Sequence, residues 1–531
     1  MINVLAPGAN VALFRVDKLA ILFAVIFGIA GIITFIYSHK LRSIRETLIE
    51  IFYAVCSIGI VFANDWITMV ICWEMMAVCS WFITNEVRTP QAKKASLRYL
   101  CIHMFGGNML LVGAIMKILQ GSYEVSLLTG NYDTAYWFIL IGVGVNAALP
   151  PLNSWVSDAY PEATLGGTVM MAAYTTKVGM YFLIRCFAGE QFLLYFGVFM
   201  ALYGACMAMM ENDLRRLLCY HIVSQLGYIV SAIAIGTELG IDGAACHAFN
   251  NILYKCLLLM CAGAVVYATG KRKITELGGM FKKMPLVSIC FLIASLSIAG
   301  FPFLNGFASK GLIMGAVEES GIHWAQIGLT VASVGTFLSI PLKCNYFVFF
   351  GKENPNLEIK EVPTGMKIAI VMGTLGCIIT GLFPGMTTYA LAPFATDYNP
   401  FTLHHILEYI ELFIGGGLAF YMYRKKMMPH DALSLDFDWL YRKPIKWLIW
   451  SLSDLANFVL GKAMELMGKF VKIGDKYLHR PYLIPRDLKI RIGGKKQGIE
   501  SDDVLEKPAG RLVGINMGLA ILIVIIVLIF T

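Results

Sequence analysis

Charged side chains are scarce in this sequence. Asp, Glu, Lys and Arg make up 15% of its 531 residues and hydrophobic residues make up 58%, whereas a globular domain has about 25% charged and about 45–50% apolar residues. This shortage excludes a soluble protein. Apolar runs follow one another from Leu19 to Phe350, so we interpret this stretch as one membrane-embedded unit.

Clustered cysteines, phosphate-binding loops and activated nucleophiles are also missing. The 13 cysteines stand singly, mostly inside apolar segments, and none forms the CxxC or Cys/His spacing of a zinc or iron–sulfur site. No GxGxxG opens a helix after a strand. The sequence therefore predicts no cofactor, no metal site and no catalytic redox centre in this chain, which argues against a hydrolase or dehydrogenase acting alone.

About 14 apolar stretches are long enough to cross a bilayer, which requires roughly 20 residues per helix. They lie at 19–38, 47–63, 65–84, 97–118, 135–157, 165–187, 190–210, 217–236, 241–268, 285–318, 324–350, 366–388, 402–423 and 512–530. Pro150 and Pro151 near the end of the fifth, and Gly300, Pro302, Asn305 and Gly306 within the tenth, predict two broken helices. The first stretch has no small-residue cleavage site behind it, so we interpret it as a permanent span.

Basic residues gather in a few loops, and these loops follow odd-numbered spans. The groups are Lys40, Arg42 and Arg45; Arg88, Lys93, Lys94 and Arg98; Arg215 and Arg216; Lys271, Arg272, Lys273, Lys282 and Lys283; and Arg424, Lys425 and Lys426. The positive-inside rule assigns such loops to the cytoplasmic or matrix side. We therefore expect a multi-pass protein of the cell (inner) membrane with its N-terminus outside. The net charge of +8 needs no nucleic acid partner to explain it.

A different pattern runs from Pro444 to Lys472, between the last two spans. Apolar residues recur there at steps of three and four, opposite Asp, Asn, Glu and Lys residues, which predicts an amphipathic helix. Trp439, Trp447 and Trp450 favour a helix that lies at the membrane interface. A surface helix of a small soluble domain is the alternative. A basic linker and one terminal span follow and would anchor the helix.

Several ionisable residues fall in the middle of predicted spans. Glu74 lies near the middle of the third span, Lys177 and Lys255 are central in the sixth and ninth, Lys310 follows the break in the tenth, and His247 precedes Lys255 by two turns. A charge at membrane depth is expensive, so each of these residues is a candidate for a functional site. A row of such groups suits a relay of protons or cations. When one charged group moves, the pKa of the next group changes, and that group binds or releases a proton.

Four further polar residues are secondary candidates for the same path: Asn251, His221, Gln225 and Lys343. Asn251 lies between His247 and Lys255 on the same side of its helix. His221 and Gln225 share one face of the eighth span, where hydrogen bonding between helices is the alternative explanation. Lys343 is nearer the end of its span, so its side chain also has the option of reaching the interface.

Six motifs together resemble one family of membrane proteins. They are NDWITMVICWE from Asn64 to Glu74, PPLNSWVSDAYPEAT from Pro150 to Thr164, TTKVGMYFLIR around Lys177, NDLRRLLCYHIVSQLGYI from Asn212 to Ile229, the row from His247 to Lys255, and GFPFLNGFASK ending at Lys310. In this order they resemble the antiporter-like subunits of Mrp-type cation/proton antiporters, respiratory complex I and energy-converting membrane-bound hydrogenases. The resemblance covers roughly residues 8–390.

The resemblance implies proton-path roles for Glu74, Lys177, His247, Lys255 and Lys310. It also implies two inverted five-helix repeats, each with one broken helix, and a C-terminal lateral amphipathic helix with an anchoring span. The family usually has a lysine where this sequence has Asn146, which leaves Glu74 without its usual partner and makes Asn146 a secondary candidate for the path. Two spans that generally precede the one beginning at Leu19 in the family are not found here.

The resemblance further divides the chain into five segments. Residues 1–64 would hold N-terminal spans, 65–390 the antiporter-like ion-translocating core, and 391–435 an additional span with a basic loop. The lateral amphipathic helix is expected at 436–478, and the basic linker with the terminal anchoring span at 479–531.

We therefore expect a proton-translocating subunit of a multi-subunit membrane complex, driven by redox chemistry in partner subunits, with sodium as an alternative ion. Its expected partners are other membrane subunits, including a neighbouring antiporter-like subunit, a peripheral redox module and the lipid bilayer. An Mrp-type antiporter subunit without a redox partner is one alternative function, and a structural bridging subunit is another. A self-contained quinone-reducing enzyme would need a cofactor site that the sequence does not offer.

Overall fold

The chain folds into helices in every part that the computed structural model describes, which comprises residues 12–355, 357–430, 436–437, 439, 443–444 and 446–478. Within these residues, extended pairing is limited to three isolated bridges between loops, at Phe14–Ala63, Asp65–Glu124 and Asp213–Lys273. The predicted all-α polytopic class is therefore confirmed. The basic linker and the terminal span predicted at 512–530 lie outside the described residues.

Eighteen helices can be numbered along the described chain. The first nine are α1 Lys18–Ser38, α2 Ile44–Phe62, α3 Trp66–Asn85, α4 Pro90–Leu119, α5 Thr134–Asn146, α6 Trp155–Ala159, α7 Leu165–Phe187, α8 Leu193–Met210 and α9 Leu214–Ile235. The others are α10 Glu238–Thr269, α11 Met280–Lys283, α12 Pro285–Ala299, α13 Asn305–Glu319, α14 His323–Phe337, α15 Thr364–Leu382, α16 Thr388–Leu391, α17 Leu403–Tyr423 and α18 Lys446–Leu478.

Short polar side chains fix the starts of most long helices. Such a residue accepts a hydrogen bond from an otherwise unpaired N–H group of the first turn. The capping residues are Asp17, Ser43, Asp65, Thr89, Asp133, Thr164, Asp213, Thr237 and Thr402. At the other end, α9, α10 and α12 stop at glycines with positive φ, Gly236, Gly270 and Gly300, a conformation that costs glycine little.

Two membrane-crossing helices are interrupted at the prolines and glycines from which the sequence analysis predicts broken helices. The chain leaves the helical conformation between Asn146, the last residue of α5, and Trp155, the first residue of α6. It does so again between Ala299, which ends α12, and Asn305, which begins α13. Unpaired backbone groups at this depth are tolerated only inside the protein or beside water, so each break creates a polar spot within an apolar bundle.

Helices α9 and α10 form the centre of the bundle. Of their most apolar 18-residue windows, 94% and 83% of the residues are buried. Helix α10 packs against α1, α7, α9, α12, α13 and α15, and nearly every residue of α7 is buried as well. A polar side chain in the middle of these helices is consequently shielded from lipid and has to find its partners inside the protein.

Small residues bring α8 and α9 into backbone contact. A Cβ on Gly227 would lie 2.4 Å from the amide nitrogen of Ala201 and the carbonyl oxygen of Gly197, and a Cβ on Gly204 would lie 2.5 Å from the amide nitrogen of Ser224. Close approach of this kind replaces the hydrophobic effect as a source of helix association in lipid. It fixes the position of α9, on which His221 and Gln225 lie.

Nine helices among the described residues are long and apolar enough to cross a bilayer. Helices α5 and α12, with 13 and 15 residues, are shorter apolar halves, and each continues in a second half beyond a break. The structure therefore confirms a multi-span membrane protein.

The eleventh predicted span is not a plain α-helix. After α14 the chain continues as a π-helix from Leu338 to Phe350, with Pro341 inside it. Proline lacks an N–H group, so one backbone hydrogen bond of the helix is lost. The side chain of Asn345 donates to the carbonyl oxygen of Pro341 at 3.0 Å and to Ser295 Oγ at 2.8 Å, which ties the wide turn to α12.

The helix predicted from Pro444 to Lys472 corresponds to α18, which begins at Lys446 and ends at Leu478. This helix has 33 residues and is about 50 Å long at 1.5 Å per residue. It belongs to a compact unit that starts at Trp439, separate from the unit that ends at Asp438. Its apolar residues Leu452, Val459 and Phe470 are exposed, and its polar side carries an ion pair between Lys469 and Glu465.

Asp17 provides a testable contact at the start of α1. Its carboxylate accepts hydrogen bonds from Arg185 at 2.9 and 2.5 Å and from the Ala20 N–H at 2.9 Å. Partial burial opposes the charge of Asp17, but the hydrogen bonds from Arg185 and Ala20 outweigh it, and the pKa of Asp17 is lowered. Because the pKa is lower in the folded state, the pair stabilises the fold above the ordinary pKa of Asp and loses its contribution as the pH falls through the folded value.

We predict that Asp17→Asn lowers the free energy of unfolding by about 1 kcal/mol at neutral pH. Asparagine retains the capping acceptor for α1, so the loss reports the ion pair alone. Thermal unfolding followed by tryptophan fluorescence measures it, and the difference from wild type should shrink towards about pH 3. A difference that is unchanged over this range would contradict the assignment.

Candidate functional site

Three fully buried lysines occupy the interior of the bundle. Lys177 on α7, Lys255 on α10 and Lys310 on α13 each have 0% exposure. Lys177 Nζ donates to the carbonyl oxygen of Ala172 at 2.9 Å and to Thr176 Oγ1 at 3.2 Å, and Lys255 Nζ donates to the carbonyl oxygen of Leu218 at 3.1 Å.

No carboxylate of the described residues lies within 4.0 Å of these three amines. A buried charge is normally paired, so these lysines lack the partner that a purely structural ion pair would supply.

Lys310 lies directly at the second break. Its Nζ donates to the carbonyl oxygen of Ala299, the last residue of α12, at 3.4 Å and to Ser333 Oγ at 3.5 Å. The amine also lies 4.9 Å from the centre of the Tyr228 ring, a cation–π distance. The break therefore supplies a carbonyl group that a continuous helix would have used internally.

His247 is the centre of a hydrogen-bonded network between α9, α10 and α13. Its Nδ1 is 2.9 Å from Ser309 Oγ, and its Nε2 is 3.2 Å from the Tyr254 hydroxyl. That hydroxyl donates to Gln225 Oε1 at 3.4 Å and accepts from Asn251 Nδ2 at 3.0 Å. The predicted candidates His247, Asn251 and Gln225 thus belong to one network, which reaches Ser309, the residue before Lys310.

Two other candidates have contacts of a different kind. His221 Nε2 is 2.6 Å from Ser339 Oγ, at the start of the π-helix. Lys343 Nζ donates to the carbonyl oxygens of Met209 and Glu211 at 2.7 and 2.8 Å, at the C-terminal end of α8. A cation at this end of a helix is stabilised by the helix dipole and by free carbonyl groups, which gives Lys343 a capping role.

Glu74 lies apart from the lysines, at the wall of a groove. The groove has a volume of about 600 Å³ and is lined by residues of α2, α3 and α4. Glu74 Oε2 is buried and has no hydrogen-bond partner among the described residues. The other carboxylate oxygen occupies space beside Gly107 on α4, where a Cβ would lie 1.5 Å from it.

Asn146 ends α5 at the first break and is completely buried. Its side-chain oxygen is 2.8 Å from Nδ1 of His103 on α4. In the sequence, Asn146 is notable only as the replacement of a lysine, and His103 was not among the predicted candidates. The only sequence signal for His103 is that a histidine lies inside a predicted span, one helical turn before Gly107.

Further polar residues of the interior were also missed. Tyr254 joins the His247 network through its hydroxyl, and Asn250 donates to the backbone oxygen of Asn305 at 2.8 Å. Tyrosine and asparagine are also common in ordinary helix interfaces, so their residue type alone carries no signal. Asp436 accepts hydrogen bonds from Ser154 and Ser157 at 3.0 Å and from Tyr220 at 2.8 Å, and also from Tyr203. These residues are more than 200 positions away in the sequence, so no local pattern could indicate the contact.

The described residues contain no group of three or more His, Cys, Asp and Glu side chains suited to a metal ion. The interior contains amines and imidazoles, which take up and release protons, and hydroxyls and amides, which donate and accept hydrogen bonds. Such an arrangement has the chemistry that a path for protons or cations requires.

Residues 63–339 match the transmembrane family described as NADH:quinone oxidoreductase/Mrp antiporter. This chain belongs to that family. The match includes both breaks, the three buried lysines, His247 and Glu74. Membership confirms the resemblance seen in the six motifs.

Curated relatives agree with this family at modest identity. An uncharacterized protein of Methanocaldococcus jannaschii is 29% identical over 364 residues, which cover 64% of this chain and 75% of that protein. One of the subunits of a Na⁺/H⁺ antiporter of Alkalihalophilus pseudofirmus is 29% identical over 72% of this chain. A probable K⁺/H⁺ antiporter subunit of Rhizobium meliloti is 27% identical over 78% of it. The chain spans about half the length of these two antiporter subunits, 54% and 46%.

Solved structures share the fold. A chain of the membrane-bound sulfane sulfur reductase, an archaeal respiratory membrane complex, matches with a TM-score of 0.72 at 24% identity, covering 86% of this chain and 88% of that one. A chain of the Mrp complex from Dietzia sp. gives 0.65 at 19% identity, with 74% and 86% covered. A chain of respiratory complex I from Thermus thermophilus gives 0.63 at 22% identity, with 72% and 88% covered. All three neighbours are parts of multi-subunit membrane complexes.

We predict that Gly107→Ala displaces Glu74 and lowers stability by about 1–3 kcal/mol, the usual cost of overpacking. Gly28→Ala on α1 is the matched control, because no atom lies within 4 Å of a Cβ there, and it should leave the unfolding temperature unchanged or slightly raised. Thermal unfolding of the purified protein measures both.

A double variant, Gly107→Ala with Glu74→Ala, isolates the contact between the two residues. Removing the Glu74 side chain frees the space that the added methyl group needs, so the two losses should not add. Additive losses would show that the clash lies elsewhere.

Proposed function

We propose that the chain is a proton-translocating, antiporter-like subunit of a multi-subunit membrane complex, moving protons through a relay that contains Glu74, Lys177, His247, Lys255 and Lys310. The observation that carries this proposal is the set of three fully buried lysines whose amines contact backbone carbonyls and hydroxyls. Charges of this kind are expensive in a membrane and are kept where they serve transport.

The arrangement of the contacts suggests how the relay works. Each amine is held by one or two weakly basic oxygens, so the approach or withdrawal of another charge decides whether it keeps its proton. The network of His247, Tyr254 and Gln225 links α9 and α10 to Ser309 beside Lys310. Protons would pass along this network, while His221 and Lys343 contribute to its surroundings.

The helix order supports a fold of two inverted repeats. Helices α2, α3, α4, α5 with α6, and α7 would form the first repeat, and α8, α9, α10, α12 with α13, and α14 the second. In both sets the fourth member is the broken one. With the terminal span, the predicted total is about 14 spans, with the N-terminus outside the cell membrane and a lateral role for α18. Because α2 opens the first repeat, the ion-translocating core would begin at α2 and not at residue 65, and the segments after residue 390 keep the bounds set out above.

Redox chemistry in partner subunits is the driving force we favour. The structural neighbour with the highest coverage among those named is part of a respiratory complex, although at this level of identity the likeness concerns the fold. An Mrp-type antiporter that exchanges sodium for protons is the second candidate, because one relative at 29% identity belongs to a Na⁺/H⁺ antiporter. In both cases the partners are other membrane subunits, with a peripheral redox module in the first case only.

We predict that Lys177→Met and Lys310→Met each reduce ion translocation by about tenfold or more, because the apolar side chain keeps the volume but removes the proton carrier. The measurement is the formation of pH and sodium gradients in proteoliposomes of the purified native complex, started by its electron donor or by an imposed sodium gradient. Lys367→Met serves as the control, since Lys367 pairs with Glu361 at the surface.

Three results separate the candidate functions. Proton movement that depends on the electron donor supports the redox-driven subunit, and exchange that needs only a sodium gradient supports the Mrp-type antiporter. Unchanged transport in both lysine variants, in complexes that assemble normally, would rule out the relay and leave a structural subunit.

A further inference from the structure

His103 and Asn146 form a buried polar pair that the relay described above does not use. The side chains have 1% and 0% exposure. The ring nitrogen Nδ1 of His103 is 2.8 Å from the amide oxygen of Asn146. Because this oxygen only accepts hydrogen bonds, Nδ1 carries the hydrogen, and in the neutral ring Nε2 is then a bare acceptor. Nε2 is buried and has no hydrogen-bond partner among the described residues.

The pair lies next to Glu74. His103 and Gly107 are four residues apart on α4, so they lie on the same face of this helix, one turn apart. Glu74 occupies the space in front of Gly107, as the 1.5 Å separation between its Oε1 and a Cβ placed there shows. The carboxylate of Glu74 and the ring of His103 are therefore neighbours along one helix face.

The pair also lies next to the helix that carries Lys177. Asn146 and Ala147, at the end of α5, pack against Gly179 of α7, where a Cβ would lie 2.5 Å from the Ala147 amide nitrogen. Gly179 is two residues beyond Lys177. The first break thus positions Asn146 at the level of Lys177 in the bundle.

Hydroxyl groups bridge the remaining space between α4 and α7. The His103 ring stacks on Tyr99 with the ring centres 4.0 Å apart, and the Tyr99 hydroxyl is 3.3 Å from Thr175 Oγ1. Thr175 is followed by Thr176, whose hydroxyl accepts a hydrogen bond from Lys177 Nζ at 3.2 Å. Protonatable and hydroxyl groups are therefore spaced from the surroundings of Glu74 to Lys177, joined by ring stacking between His103 and Tyr99 and by the hydrogen bond between Tyr99 and Thr175.

A histidine retained only for packing would be expected to have both nitrogens satisfied or to be replaced by an apolar residue. Here one nitrogen is oriented by Asn146 and the other is left open, although Tyr99 and Trp155 enclose the ring on two sides. An open acceptor that is held in one tautomer is the arrangement required of a group that receives a proton.

We propose that His103, oriented by Asn146, is an intermediate proton carrier between Glu74 and Lys177. The inference rests on the proposed function and adds a residue to its path. Nε2 accepts the proton that Glu74 releases, which gives an imidazolium whose Nδ1–H remains bonded to Asn146. The imidazolium then gives up one proton towards Thr175 and the neutral amine of Lys177, and the neutral ring returns. One proton enters and one leaves in each cycle.

The test compares proton translocation by proteoliposomes of the native complex with five variants of this chain. His103→Gln should lower the rate about tenfold or more, because glutamine keeps polarity but carries no proton. Adding Asn146→Lys to His103→Gln should restore at least about a third of the wild-type rate, because it returns a protonatable group to the same place. His323→Gln, the same substitution at an exposed histidine, should have no effect, and Lys177→Met is the reference for loss of the path.

Asn146→Asp is the fifth variant, in case His103→Gln does not assemble. Aspartate keeps the shape of asparagine but holds the imidazolium in an ion pair, so it should slow translocation about fivefold or more if His103 takes up a proton in each cycle.

The outcomes are distinguishable. Full translocation in His103→Gln or in Asn146→Asp, together with loss in Lys177→Met, would overturn the role of His103 and leave the proposed function intact. Failure of Asn146→Lys to restore any translocation to an assembled His103→Gln complex would mean that His103 acts through packing. Full translocation in Lys177→Met would overturn the proposed function and this inference with it.

Discussion

The protein must satisfy polar groups in a place where water and lipid cannot satisfy them. Both breaks leave backbone carbonyl groups inside the bundle, and three lysine amines lie there without a carboxylate from the described part of the chain. The contact between Lys310 Nζ and the carbonyl oxygen of Ala299 satisfies both kinds of group. The carbonyl left free where a helix ends gains a donor, and the buried amine gains an acceptor. The site as a whole depends on this pairing of free groups at helix ends with buried side chains.

Tight packing makes this chemistry possible. Helix α10 contacts six other long helices, and glycines let α8 and α9 approach at backbone distance. Lipid is thereby kept away from His247, Lys255 and Gln225. A dense, apolar surrounding raises the cost of every unpaired charge, so each buried amine and imidazole depends on the few polar groups around it.

Irregular backbone segments lie close to the polar groups of the interior. The two breaks and the π-helix from Leu338 to Phe350 depart from regular α-helix in the middle of the bundle, and His221 contacts Ser339 at the start of this π-helix. Segments with irregular hydrogen bonding change shape at lower cost than a regular helix. The two breaks and the π-helix are therefore the parts of the bundle where a change of shape costs least.

The sequence by itself determined the all-helical, multi-span class of the protein, both breaks and the identity of the buried lysines, because each of these follows from the cost of placing charges, prolines or apolar runs in a membrane. Only the tertiary structure decided which residues meet. Asn146 bonds to His103, Glu74 lies against Gly107, Lys343 caps α8, and Asp436 joins hydroxyls more than 200 residues away. Periodicity along one helix reveals which face is polar, but the partner of that face comes from another helix whose position is set by packing.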